Sequence, residues 1–156
     1  RISSTMIREL VRNGGIETAN RLLGTPFTLK LPVSHGKKLG RTLDFPTLNQ
    51  YLSETQVAPK YGVYASKTEV HGKIYKSITN IGMKPTVGSS APLAETYIMD
   101  FDGGELYGET VKVSLAAFIR PEKKFSDIDR LKKQIAEDIK AALEVPESLY
   151  YDVPLK

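Results

Sequence analysis

The chain has 156 residues, enough for one domain with a real core plus an appendage. Lys plus Arg number 22 against 18 Asp plus Glu, a net charge of +4 with a pI near 9.2. That mild, dispersed excess suits a small polyanionic ligand and argues against nucleic acid, because the lysines are not interleaved with the eight tyrosines. The absence of cysteine excludes disulfides and thiolate metal sites and accords with a cytoplasmic setting. No run approaches the roughly 18 apolar residues of a membrane span, and no signal-peptide pattern appears. A first residue of Arg1 in place of methionine leads us to expect a chain excised from something longer.

Residues 1–24 read as helical. Ser3, Ser4 and Thr5 offer N-cap oxygens, Gly14-Gly15 stops the first helix, and Ile16 to Leu23 forms a second that ends at Gly24. From Thr25 the pattern turns to strands. Phe27, Leu29, Leu31 and Val33 share one face, and Pro32 marks an edge or a bulge. The loop that follows carries Gly36, Lys37, Lys38, Gly40 and Arg41. Glycines let backbone N–H groups converge on an anion, and the cations add charge for a polyphosphate. Thr47 and Asn49 lie two apart, so on an extended segment their oxygens share a face and can serve as hard donors to Mg²⁺. On spacing alone the alternative is a basic hairpin loop before an edge strand, since Gly-rich loops are common.

Gly62–Val70 and Lys73–Ile81 flank His71-Gly72 and read as a hairpin, with His71 as a solvated turn residue. Two histidines cannot build a multi-histidine metal site. Residues 82–93 lack periodicity and read as a mobile loop. Ala94–Phe101 is expected as a strand bearing Glu95, which general grounds alone would make a solvated edge residue. Asp102-Gly103-Gly104 reads as a turn, and 106–120 as a long returning strand bent at Gly108. Ser126 is the expected cap of a final helix from about Asp127 to Leu143, with Ile128, Leu131, Ile135, Ile139, Ala142 and Leu143 on its core face and Pro146 as its stop. About six strands and one C-terminal helix fit an antiparallel barrel.

Several separated motifs resemble the riboflavin kinase family: His35-Gly36 with Gly40-Arg41; Phe45-Pro46-Thr47-Leu48-Asn49, like its Pro-Thr-Ala-Asn hallmark; Asn80-Ile81-Gly82 with Pro85-Thr86; Glu95 through Phe101 with Leu106-Tyr107-Gly108; and Arg120-Pro121-Glu122 with Phe125. Leu48 replaces the usual alanine, Asp44 the usual glycine and Tyr97 the usual histidine. Ile2-Ser3-Ser4-Thr5 with Ile7-Arg8 resembles the segment that closes the adenylyltransferase module of bacterial bifunctional FAD synthetases. The resemblance implies two parts: 1–24, a helical linker or remnant of such a module, and 25–156, a riboflavin kinase domain. It implies a mainly β fold, a six-stranded antiparallel Greek-key barrel.

The implied activity is transfer of the γ-phosphoryl of ATP to the 5′-hydroxyl of riboflavin, yielding FMN and ADP. The implied roles are Glu95 as catalytic base; Gly36, Lys38, Gly40, Arg41, Asn80 and Pro85 on ATP; and Thr47 and Asn49 on Mg²⁺. Phe118, Arg120 and Phe125 are the candidates for a flat slot around the flavin ring. An adenylyltransferase module linked in the full-length protein is the implied partner. Two rivals stand beside this reading. One is a non-catalytic or regulatory flavin- or nucleotide-binding module, motivated by Asp44, Leu48 and Tyr97. The other is a nucleic-acid-binding barrel, motivated by the basic pI.

Overall fold

The computed structural model describes residues 2–35, 45–86 and 89–150, without the side chains of 84–90. Two helices open it, α1 (Ser4–Arg12) and α2 (Ile16–Leu23). Ser3 caps α1 by accepting from the Met6 amide, and Gly24 ends α2 in the left-handed region at φ 75°. Six strands follow among the described residues: β1 (Phe27–Pro32), β2 (Thr47–Tyr51), β3 (Gly62–Val70), β4 (Lys73–Thr86), β5 (Ser89–Ile98) and β6 (Thr110–Pro121). Helix α3 (Ile128–Leu143) and a 3₁₀ turn, Glu147–Tyr150, complete the chain as described.

The strands form one antiparallel sheet in the order β1-β6-β3-β4-β5-β2. Strands β3, β4 and β5 form a meander and β6 returns beside β3, which is the Greek-key order. The sheet curls until its two edges meet. Just past β1, Ser34 bridges to Asn49 of β2, its amide donating to the Asn49 carbonyl at 2.7 Å. Gln50 of β2, fully buried, donates through Nε2 to the carbonyls of Leu31 in β1 and Val111 in β6, each at 2.9 Å. A side-chain amide thus fastens the wall where the regular ladder gives out.

Alternation along the strands separates two apolar regions. The inner one gathers Leu29, Tyr64, Ile81, Ala94, Val111, Val113 and Leu115, together with Val11, Ile16 and Ala19 from the N-terminal helices. Full burial of a side chain such as Ile16 contributes about 1.5–3 kcal/mol, so α1 and α2 are packed elements of the barrel. Asn20 of α2, itself buried, donates to the Leu115 carbonyl at 2.8 Å and accepts from the Phe27 amide at 2.7 Å. Inside the barrel five buried hydroxyls link up: Thr68 to Ser77, Ser77 to Ser66, Ser66 to Thr79 and Thr79 to Thr96, at 2.7–2.9 Å. The second region lies on the outer face, where Val63, Ala65, Ile78, Ala116 and Ala117 meet Ile135, Ile139 and Ala142 of α3, and Tyr150.

Several local expectations are corrected. Residues 82–86 and 89–93, expected within a mobile loop, instead extend the β4 and β5 strands, with Gly82 opposite Leu93 and Thr86 opposite Ser89. Cross-strand pairing supplies the order that their composition does not signal. Strand β5 ends at Ile98, because Asp100 turns through φ 59°. Strand β6 starts at Thr110, because Gly108, at φ 85°, lies in a turn. The cap of α3 is Asp127, whose carboxylate accepts from the Arg130 amide at 2.9 Å, in place of Ser126. Ile128 and Leu143 are exposed, and the helix instead buries Asp138.

Candidate active site

Strand register decides which of the expected site residues meet. Asn49 of β2 lies opposite Glu95 of β5, and Glu95 lies opposite Asn80 of β4. The row continues through Val63 of β3 to Arg120 of β6. Directly opposed residues on antiparallel strands project to one face with Cβ atoms about 4.5–5.5 Å apart. Asn49, Glu95 and Asn80 therefore stand side by side on the outer face, and Thr47 shares that face one step along β2, opposite Tyr97. Helix α3 packs on β3, β4 and β6, so it walls one side of this row. Asn49 is buried, Glu95 and Asn80 are half-buried, and Thr47 is exposed.

This donor set fits Mg²⁺. The Thr47 hydroxyl and the Asn49 amide oxygen lie two apart on one face of β2, both hard oxygens. No cluster of three or more His, Cys, Asp or Glu exists among the described residues. Mg²⁺ is ordinarily held by one or two protein oxygens while phosphates and water supply the rest. Leu48 points the other way, into the core, so its departure from alanine bears on packing. Tyr97 meets the edge of Phe45, ring centroids 5.4 Å apart, beside Thr47.

The three candidates for a flavin slot do not converge. A bulge in β6 separates Phe118 from Arg120: Phe118 pairs with Tyr64 and Arg120 with Val63, skipping Ile119. Phe118 thus packs edge-on against Tyr64 on the core side, centroids 5.2 Å apart, while Arg120 emerges on the α3 side. Gly62 makes this bend possible, since a Cβ there would overlap the Arg120 carbonyl and the Phe118 ring. Arg120 reaches Asp138 of α3 through Nε and Nη2, both at 2.8 Å, and its Nη1 donates to the Pro121 carbonyl at 3.1 Å. Its guanidinium lies 5.8 Å from the centre of the Phe125 ring, and Lys123 Nζ lies 5.7 Å from it. Arg120 and Phe125 do share a neighbourhood, with the guanidinium occupied as a tie to α3.

Gly36, Lys38, Gly40, Arg41 and Asp44 lie outside the described residues, and Pro85 is described only as a β4 position opposite Ser90. His35 stacks on Tyr107 at 3.6 Å between centroids, joining the start of that segment to the turn before β6.

Two contributors escaped the sequence reading, and the placing of a third, Glu122 of the Arg120–Phe125 motif, was not foreseen. Asp138 accepts from Arg120 and also from Gln134 Nε2 at 3.0 Å; it sits seven residues after Leu131 and four before Ala142, so the helical period marked it as inward-facing. Gln50 alternates with Leu48 and Leu52, the matching signal on a strand. Glu122 lies with its carboxylate against Gly82, where any side chain would displace it; no sequence signal pairs those two.

The family model described as riboflavin kinase (flavokinase) matches residues 23–145. The chain is 42% identical to the bifunctional riboflavin kinase/FMN adenylyltransferase of Bacillus subtilis, over 92% of this chain and 46% of that protein. It is 43% identical to the Haemophilus influenzae protein of the same name, over 91% of this chain and 46% of the other. The chain thus spans about half the length of the curated relatives it matches. A structure described as a macrolide-efflux protein from Streptococcus pneumoniae superposes with a TM-score of 0.86 at 33% identity, covering 94% of this chain and 48% of that one. Riboflavin kinase from Trypanosoma brucei shares the fold, with a TM-score of 0.54 at 22% identity over 76% of this chain and 78% of that one. A curled six-stranded antiparallel sheet, a register that aligns Asn49, Glu95 and Asn80, and these matches together establish that the chain belongs to the riboflavin kinase family.

Proposed function

We propose that this chain transfers the γ-phosphoryl group of ATP to the 5′-hydroxyl of riboflavin, giving FMN and ADP. The observation that carries the reading is the register that sets Thr47, Asn49 and Glu95 on one face, in a chain of this family. The transfer forms one O–P bond at the ribityl oxygen, breaks the bond between the β,γ-bridging oxygen and the γ-phosphorus, and releases one proton. Glu95 takes that proton. Thr47 and Asn49 hold Mg²⁺, which when bound neutralises charge on the phosphates. Gly36, Lys38, Gly40, Arg41 and Pro85 are proposed on the nucleotide side, and Phe125, held by Arg120, as a wall for the flavin ring. Phosphoryl transfer needs little covalent chemistry from a protein, so alignment and charge carry most of the effect.

Residues 25–156 are read as the kinase domain of a cytoplasmic enzyme. Residues 1–24 are read as the end of an adenylyltransferase module, a partner covalently linked in the longer protein. The test is incubation with riboflavin, ATP and Mg²⁺, with products separated by chromatography. FMN should accumulate and FAD should not. Absence of FMN overturns the kinase reading, and FAD formed from FMN and ATP overturns the reading of 1–24.

A further inference from the structure

Asn80 holds an amide oxygen that, among the described residues, is closed off and accepts no hydrogen bond. Such an acceptor is costly to leave unmade, and in a native site it calls for an explanation. Its position in the cross-strand row suggests one. Thr47 and Asn49, the proposed metal ligands, lie on β2 to one side of Glu95, while Asn80 lies on β4 to the other. Beyond Asn80 come Val63 and then Arg120, whose guanidinium neighbours Phe125. The row therefore runs from the nucleotide, past the base, toward the wall proposed for the flavin ring.

From this order we infer that Asn80 belongs to the acceptor side of the site, where its Oδ1 takes a hydrogen bond from a hydroxyl of the ribityl chain. The inference rests on the proposed kinase reading and moves Asn80 off the nucleotide. The chemistry separates the two sides. The phosphate end of the nucleotide, which the proposed metal ligands face, offers only acceptors and leaves Oδ1 unsatisfied; its ribose and adenine donors, like the N3–H of the flavin ring, lie at the far ends of their molecules, whereas the ribityl polyol next to the reacting hydroxyl brings several O–H donors. Asn80 as a residue is half-buried, and χ2 of an amide is a soft torsion, so rotation brings the oxygen to the exposed part of the side chain. Glu95, next along, is then within reach of the terminal hydroxyl of the same chain. A site built to hydrogen-bond a hydroxyl discriminates strongly against analogues that lack it, which makes Asn80 a specificity-determining residue for the polyol.

Asn80→Ala tests this, with three ligands titrated against the purified chain: riboflavin, lumiflavin (the same ring bearing a methyl group in place of ribityl) and Mg·ADP. Riboflavin affinity should fall about tenfold, as for one hydrogen bond to a buried acceptor. Lumiflavin and Mg·ADP affinities should stay within about twofold, within the spread usual for a side-chain change that removes no contact. Asn80→Ser, which keeps an oxygen, should lose less riboflavin affinity and leave the other two unchanged; it also serves if the alanine variant fails to fold. Equal losses for riboflavin and lumiflavin would make Asn80 structural. A loss confined to Mg·ADP would return it to the nucleotide, and unchanged riboflavin affinity in both variants would also overturn the inference. FMN formation by the unsubstituted chain is measured alongside, so that failure of the kinase reading is seen separately.

Discussion

Glu95 stands between two amide side chains, Asn49 and Asn80, on neighbouring strands. If it is the base, Glu95→Gln keeps shape and one hydrogen bond and loses only the proton sink. General-base catalysis contributes about 10²–10⁴-fold, and a loose phosphoryl transition state needs the base late, so kcat should fall near the low end. KM for riboflavin and ATP should change little; a variant within about threefold of full kcat would remove Glu95 from the mechanism. Thr47→Ala and Asn49→Ala should each raise the Mg²⁺ concentration needed for half-maximal turnover without shifting the unfolding midpoint by more than a small amount. Normal turnover at limiting Mg²⁺ in either variant would dismiss that residue as a ligand. That Thr47 and Asn49 share a face was legible in the sequence, because residues two apart on a strand must do so. That Glu95 is the cross-strand neighbour of both amides was not legible, since pairing partners depend on a register set by distant residues.

At the level of elements, the tie between β6 and α3 organises the flank of the row. Asp138 is 2% exposed and Arg120 holds it with two parallel hydrogen bonds. Removing one partner of a buried pair costs about 3–5 kcal/mol; Arg120 keeps about a fifth of its side chain in water, which places Asp138→Ala toward the lower end. Urea denaturation measures this directly, and a loss under about 1 kcal/mol, the range of an exposed pair, would show that the tie is loose. Here sequence reasoning met its limit in a physical way. The apolar stripe of α3 was evident, but an aspartate at an inward position looks like a break in the stripe until its arginine is found on another element. The β6 bulge is similarly invisible: simple alternation puts Phe118 and Arg120 on one face, and the skipped residue sends them to opposite faces. Residues 82–86 and 89–93 read as loop for the same reason, since an extended strand pair is stabilised by its partner more than by its own composition.

For the molecule as a whole, the barrel form was readable from six apolar runs, the turn residues between them and the single final helix. His71-Gly72 shows why: both residues adopt positive φ, 50° and 81°, as a two-residue hairpin turn of type I′ requires. The barrel interior also carries a pH signature. Tyr64 is fully buried and donates to the Lys60 carbonyl at 2.6 Å, and burial pushes its phenol well above the usual tyrosine range. A group raised in this way lends stability that is complete below the unfolded-state value, about 10, and is lost as pH climbs above it. Stability should therefore drop more steeply between pH 9 and 11 in the parent chain than in Tyr64→Phe, as followed by denaturant midpoints on a scale set by that value of about 10. Equal slopes would mean that Tyr64 ionises freely. The seam of the barrel has a further consequence. Asn49 offers its side chain to the proposed metal site, while its backbone carbonyl receives the Ser34 amide that joins the two sheet edges. Whatever grips that side chain also restrains the carbonyl behind it, so opening of the seam and departure of the nucleotide become linked events. Saturation with Mg·ADP at about 100 times Kd would add about 2.7 kcal/mol to any opening that destroys the site. The Ser34 amide proton should then exchange with deuterated solvent markedly more slowly, by up to about a hundredfold, making the nucleotide a latch on the cylinder wall.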